Sequence, residues 1–262
     1  MADRRRTPFV VVAPLAAASA LVVAGTLAGC AAADGAPDVP ATTAAAPTPA
    51  DTPAEETPVP TPEMTAAEAA DLLVSATAAG DLAGVERAIA NAADVDARDG
   101  EGRPVLVTAT RANHVAIARA LLEAGADPNA KDAIEDSAFL YAGAEGLNDI
   151  LRLAIEHGAD PTSTNRYGGT ALIPASEHAH VESVGILIEA GVPVNHVNNL
   201  AWTALHEAIV LGNGDDAHVE TVRLLLAAGA DPSIPDGDGV LPRRLAAQRG
   251  YDAIVAEIDA AT

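Results

Sequence analysis

The chain has 262 residues, half of them apolar, yet only 2% are aromatic and its formal net charge is −22. That charge repels phosphate backbones, so the composition argues against nucleic-acid binding and favours a cationic partner, or simply solubility. A single cysteine rules out an internal disulfide framework.

Residues 1–29 read as an export signal. Arg4, Arg5 and Arg6 supply a positive start, and a mostly apolar run follows from Phe9 to Ala28. It closes on Leu27-Ala28-Gly29-Cys30, which resembles the lipobox of bacterial lipoproteins. The resemblance implies cleavage before Cys30, lipidation of its thiol, and a protein anchored on the extracytoplasmic face of a cell membrane. An uncleaved signal anchor is the alternative, since the run is long enough to cross a bilayer. Residues 30–65 then form a linker of Ala, Thr and Pro, with Pro37, Pro40, Pro47, Pro49, Pro53, Pro58, Pro60 and Pro62. It lacks the large apolar side chains that could offset chain entropy, so an extended spacer is expected.

From residue 66 to 262 the chain is periodic. Leu121-Leu122-Glu-Ala-Gly125-Ala-Asp127 returns as Leu153-Ala-Ile155-Glu-His-Gly158-Ala-Asp160, Leu187-Ile188-Glu-Ala-Gly191-Val-Pro193 and Leu225-Leu226-Ala-Ala-Gly229-Ala-Asp231. The period is 33 residues, with five extra before the last copy. Such a period predicts stacked supersecondary units, each of two short helices and a turn. In the fifth unit Thr203 is placed to cap a first helix and Gly229 to end the second. Arg243 stands where the last unit would otherwise bury a leucine, as suits a polar end cap.

With its Thr203-Ala-Leu205-His206 opening, histidine turns, leucine run and Gly-Ala-Asp close, this domain resembles the ankyrin repeat. The resemblance implies an all-α solenoid of about six helix-turn-helix units with loop or β-hairpin fingers. The sequence departs from the pattern at Ile173, where the opening histidine is missing. It departs again at Glu135 and Ala201, which replace the loop glycine found at Gly102, Gly168 and Gly239. Those two loops are expected to be strained or differently shaped.

The resemblance also implies non-catalytic protein binding on a concave face lined by fingers and first helices. The repeat register puts Arg166, Tyr167, Asn198, Asn199 and Trp202 on or beside two fingers. It puts Tyr141, Glu145, Glu177, His178 and Glu207 on exposed positions of first helices. Tyr, Trp and Arg most often dominate binding energy. The structural alternative has Trp202 packed beneath its finger and Asn198 and Asn199 serving turns. No phosphate-cradling glycine loop, Gly-x-Ser-x-Gly elbow or nucleophilic cysteine is present. Glu177 and His178 could serve as acid and base in principle. The seven histidines lack zinc-site spacing, and Asp215 and Asp216 offer too few oxygens for calcium. The expectation is therefore a monomer with no metal and no cofactor, binding an unidentified and basic protein partner. Two other classes compete: small-ligand binding or hydrolysis on envelope material, and an acidic structural spacer or chaperone.

Overall fold

A computed structural model describes residues 64–262. The expected signal peptide, Cys30 and all but the end of the linker lie outside the described residues. None of the described helices is long and apolar enough to cross a membrane.

Twelve helices follow in six pairs among the described residues. They are α1 (Ala66–Ala79) and α2 (Leu82–Ala90), α3 (Val105–Arg111) and α4 (Val115–Glu123), and α5 (Ala138–Ala144) and α6 (Asn148–Glu156). The second half holds α7 (Leu172–Glu177) and α8 (Val181–Glu189), α9 (Ala204–Val210) and α10 (Asp216–Ala227), and α11 (Pro242–Arg249) and α12 (Asp252–Ala261). Odd-numbered helices pack on odd-numbered neighbours and even on even, giving two stacked layers. The all-α expectation holds. The fingers, however, are loops: the described residues form no strand, only an isolated bridge between Arg98 and Pro104.

Spacing explains the layers. In α10 the buried side chains His218, Thr221, Val222 and Leu225 fall at helical intervals and share one stripe. Phe139, Leu151, Leu172, Leu187, Leu205 and Ile209 are among the largest fully buried side chains, and they form one core that runs from unit to unit. α11 buries only Pro242 and Ala246, leaving Arg243 outside to pair with Asp259.

Caps follow local chemistry. Thr65, Asp81, Ser137, Thr203 and Asp215 each accept a first-turn amide with a side-chain oxygen. Thr203 Oγ1 also lies 2.9 Å from His206 Nδ1. Where Ile173 replaces that histidine, the buried Thr170 hydroxyl has no hydrogen-bond partner. The five-residue insertion Asn213–Ala217 is tied down by a capping Asp215 and by Tyr251, whose hydroxyl donates to the Gly212 carbonyl at 3.0 Å.

Side chains also stitch one unit to the next. Asp96, Asn129 and Asn195 accept the backbone N–H of Asp127, Asp160 and Asp231 at 2.7–2.9 Å. Thr162 has no such bridge to Pro193, because proline has no N–H to give. Arg98 donates to the Lys131 carbonyl, and Lys131 donates to the Thr164 carbonyl, each one period ahead.

At Glu135 and Ala201 the expectation of strained or differently shaped loops resolves to strain without a change of shape. Their φ values of 64° and 61° match the 76°, 68° and 76° of Gly102, Gly168 and Gly239. The five loops share one shape, and in two of them a side chain bears the left-handed conformation at a cost of about 1 kcal/mol. Ala201→Gly is therefore expected to raise stability, and Gly102→Ala, with open space around its new Cβ, to lower it, each by about 1 kcal/mol. Urea unfolding of the two variants checks both signs.

Candidate functional site

The loops that precede the odd-numbered helices are built on one repeated side chain. Asp99, Asp132, Asn165, Asn198 and Asp236 begin them, and each Oδ1 accepts the N–H groups two and four residues later at 2.7–3.0 Å. Each also exchanges backbone bonds across the turn, as from Asn165 N to the Gly169 carbonyl. A short polar side chain thus satisfies amides that a surface loop would otherwise leave to water. Side chains join these loops to the odd-numbered helices and define a loop face: Arg111 of α3 reaches Asp132 at 3.5 Å, and Asn198 donates to Glu207 of α9 at 3.0 Å.

The predicted residues fall on this face in two groups. The first joins units two to four. Asp136 sits between Arg166 at 3.7 Å and Arg111 at 3.9 Å, while Arg111 also reaches Asp132 at 3.5 Å. Arg111 lies 4.7 Å above the Tyr141 ring and Arg166 lies 4.6 Å above the Tyr167 ring. Cation–π contact of this kind holds an arginine in place while leaving its edge available. Burial raises the Asp136 carboxyl above its ordinary range even against Arg166, and burial with the Glu145 charge raises the Tyr141 phenol. Arg166, Tyr167 and Glu145 are exposed, and Tyr141 is half-buried. Arg111 and Asp136, absent from the predicted set, complete this group; an arginine and an aspartate 25 residues apart carry no sequence pattern that pairs them.

The second group joins units four and five. Asn198 is buried: its Oδ1 holds the loop, and its Nδ2 donates to Glu207 Oε1 at 3.0 Å. Glu207, expected on an exposed helix position, is only 5% exposed. The register misplaces it because the Asn198 amide and the neighbouring α7 cover that position. Burial, then the Glu177 carboxyl, raise Glu207 to about 7, against the Asn198 bond. Asn198 thus follows the structural alternative, whereas Asn199 is exposed and links the two groups through its N–H to the Tyr167 carbonyl at 2.9 Å. His196 Nε2 donates to the Gly168 carbonyl at 2.6 Å, locking the same two loops together. Trp202 is half-buried beside them.

No acid–base pair emerges. Glu177 is half-buried beside Glu207, and the exposed His178 faces His180 with ring centroids 5.7 Å apart. Among the described residues no group of three or more His, Cys, Asp or Glu side chains is arranged to hold a metal. Two open depressions of about 310 and 240 Å³ lie along the even-numbered helices, lined by residues such as Asn148, Glu182, Arg152 and Ile186, away from both groups.

Residues 138–256 match ankyrin repeats in three copies, and residues 101–133 match a single ankyrin repeat. An ankyrin repeat domain from Acinetobacter baumannii AYE, known from its crystal structure, is 53% identical with a TM-score of 0.71; the match covers 72% of this chain and 96% of that one. The ankyrin repeat protein EF0377 is 37% identical with a TM-score of 0.70, over 72% of this chain and 97% of that one. The ankyrin repeat protein YahD of Escherichia coli strain K12 is 44% identical over 55 residues, which are 21% of this chain. The chain spans about a quarter of the length of that curated relative.

The buried carboxyl generates a pH dependence. Glu207 holds its proton more tightly folded, near pH 7, than at the ordinary value of 4.5. A raised acid makes folding take up a proton, so the Glu207 contribution to stability falls as pH rises from about 4.5 to 7 and then levels off, opposite in sign to that of His180 and His206, whose imidazoles burial lowers. Glu207→Gln removes that slope. The variant should match wild type near pH 5 and exceed it at pH 8 by about 2 kcal/mol, read from urea titrations at the two pH values.

Proposed function

The chain belongs to the ankyrin-repeat family, and from that premise we propose that it is a non-catalytic binding module held on a lipid anchor at a bacterial cell envelope. The family is a protein-interaction fold, and the observation that carries the proposal here is the linked pair of side-chain groups on the loop face. Arg166 and Tyr167 stand exposed there, each fixed by a neighbour rather than free to move. Fixed aromatic and guanidinium groups lose little entropy on docking, which is why such side chains dominate binding energy. The site proposed is Tyr141, Glu145, Arg166, Tyr167, Glu177, His178, Asn199 and Trp202. Asn198 and Glu207 support the loop from beneath.

The anchor rests on Arg4–Arg6, the apolar run to Ala28 and the Leu27–Cys30 motif. In this proposal residues 1–29 are removed, Cys30 carries lipid, and residues 30–65 space the domain of residues 66–262 from the membrane. Anchoring raises the local concentration of the domain for partners at the same surface. The strong negative charge favours a basic partner over nucleic acid.

Cys30→Ser should abolish incorporation of radiolabelled palmitate in a bacterial host and, because cleavage at such a motif acts on the lipidated cysteine, leave residues 1–29 attached as a larger mass. Unchanged labelling and mass would remove the anchor. For the binding role, crosslinking capture in the host compares wild type with Arg166→Ala/Tyr167→Ala, with circular dichroism confirming equal folding. Loss of a captured protein in the variant is the expected result; capture that is identical, or absent from both, would place function elsewhere.

A further inference from the structure

One register position of the loops behaves unlike the rest. Two residues past the capping Asp or Asn lies the loop tip, the residue whose N–H the capping side chain accepts first. In the outer loops this tip is Glu101 and Asp238. In the three middle loops it is Ile134, Tyr167 and Leu200, exposed by 43%, 53% and 54%. Those three are half of the six exposed large apolar side chains among the described residues. Single exposed apolar residues are ordinary. Three at one position of three consecutive units form a row, and a recurring apolar row on a surface marks an interaction site.

We propose that Ile134, Tyr167 and Leu200 form a docking row for a basic amphipathic α-helix of a partner protein, laid across units three to five. The proposal rests on the binding-module reading above and names the chemistry of its partner. Spacing selects a helix. Stacked helices lie about 8–10 Å apart, so successive tips recur at about that distance. On a helix, residues seven apart lie on one face at about 10.5 Å, one heptad for each tip. A β-strand covers the same distance in three residues, an odd number, so it would turn alternate side chains away from the row.

Charge selects the sign of the flanks. Glu135 stands exposed beside Ile134 and Asp238 closes one end of the row, while Glu101 at the other end is paired with Arg103 at 2.9 Å. Arg166, the cation nearest the centre, is already committed to Asp136 and to the Tyr167 ring. The helix that fits therefore carries an apolar residue every seventh position with lysine or arginine on either side. The row is also preorganised: all three tips are held by the same capping bond, so docking orders little backbone.

The test uses full-length protein carrying Cys30→Ser and a fluorescent peptide of about 21 residues, three heptads with one leucine each and lysine flanks. Controls are the same composition with leucines out of register, the same leucines flanked by glutamate, and a polyproline peptide with leucine every third residue, whose repeat of about 9.3 Å is close to the tip spacing. Saturable anisotropy should show the in-register basic helix binding at least about tenfold tighter than every control. Ile134→Ser/Leu200→Ser, both exposed and so neutral to folding, should weaken it about tenfold or more, while Arg152→Ala on the even-helix side should not. Equal binding of the scrambled peptide, tighter binding of the proline or glutamate peptide, or indifference to the tip variant would overturn the proposal. Capture from the host separates the two levels. A partner lost with Arg166→Ala/Tyr167→Ala but retained with Ile134→Ser/Leu200→Ser leaves the binding module standing and refutes the helix row.

Discussion

Burial between neighbouring units is the constraint on which everything else depends. A pair of helices of seven to nine residues is too short to persist alone in water. α3 with α4, or α5 with α6, becomes stable only when its apolar stripe meets the stripe of the next pair. The core therefore continues along the domain, from Leu73 in the first unit to Ile258 in the last. The ends show the consequence. α11 exposes Arg243 and Arg244 and buries only Pro242 and Ala246, and Glu68 with Thr65 seals the first turn of α1.

On top of that stack sits a second layer of order, made of polar side chains bonded to backbone. The capping Asp or Asn of each loop fixes the turn, and the Asp96, Asn129 and Asn195 bridges fix the distance to the next unit. These bonds explain how loops with almost no sheet structure hold one shape five times over. They explain as well why Glu135 and Ala201 tolerate a left-handed backbone: the surrounding bonds over-determine it. The proposed function follows from this rigidity. A face whose geometry is set before any partner arrives can present Arg166, Tyr167 and the neighbouring tips at a constant spacing, with little entropy left to lose.

Much of this was legible in the sequence. The 33-residue step of Gly125, Gly158 and Gly191 encodes two layers of paired helices, because a fixed period forces each unit into the same environment. Thr203 and His206 announced a helix cap. The loop cap was not legible in the same way: Asp99, Asp132, Asn165, Asn198 and Asp236 carry the same period and the same five-residue insertion, but alternating Asp and Asn hide the identity of role. The burial of Glu207 was not legible. Its register partners are Tyr141 and Pro174, which take quite different environments, and only the three-dimensional approach of Asn198 and Glu177 buries a carboxyl there. The pairing of Arg111 and Arg166 around Asp136 is also tertiary, joining a helix end to loops from two further units.

The central claim is that the loop face is preformed. Backbone ¹⁵N relaxation of the full-length protein with Cys30→Ser, free of any partner, tests it most directly. Order parameters near about 0.85 at Ile134, Tyr167, Gly169, Leu200 and Trp202, equal to those of the buried helices, are the predicted result. Values below about 0.6 across those loops would mean that the face forms only on binding, and would contradict the account.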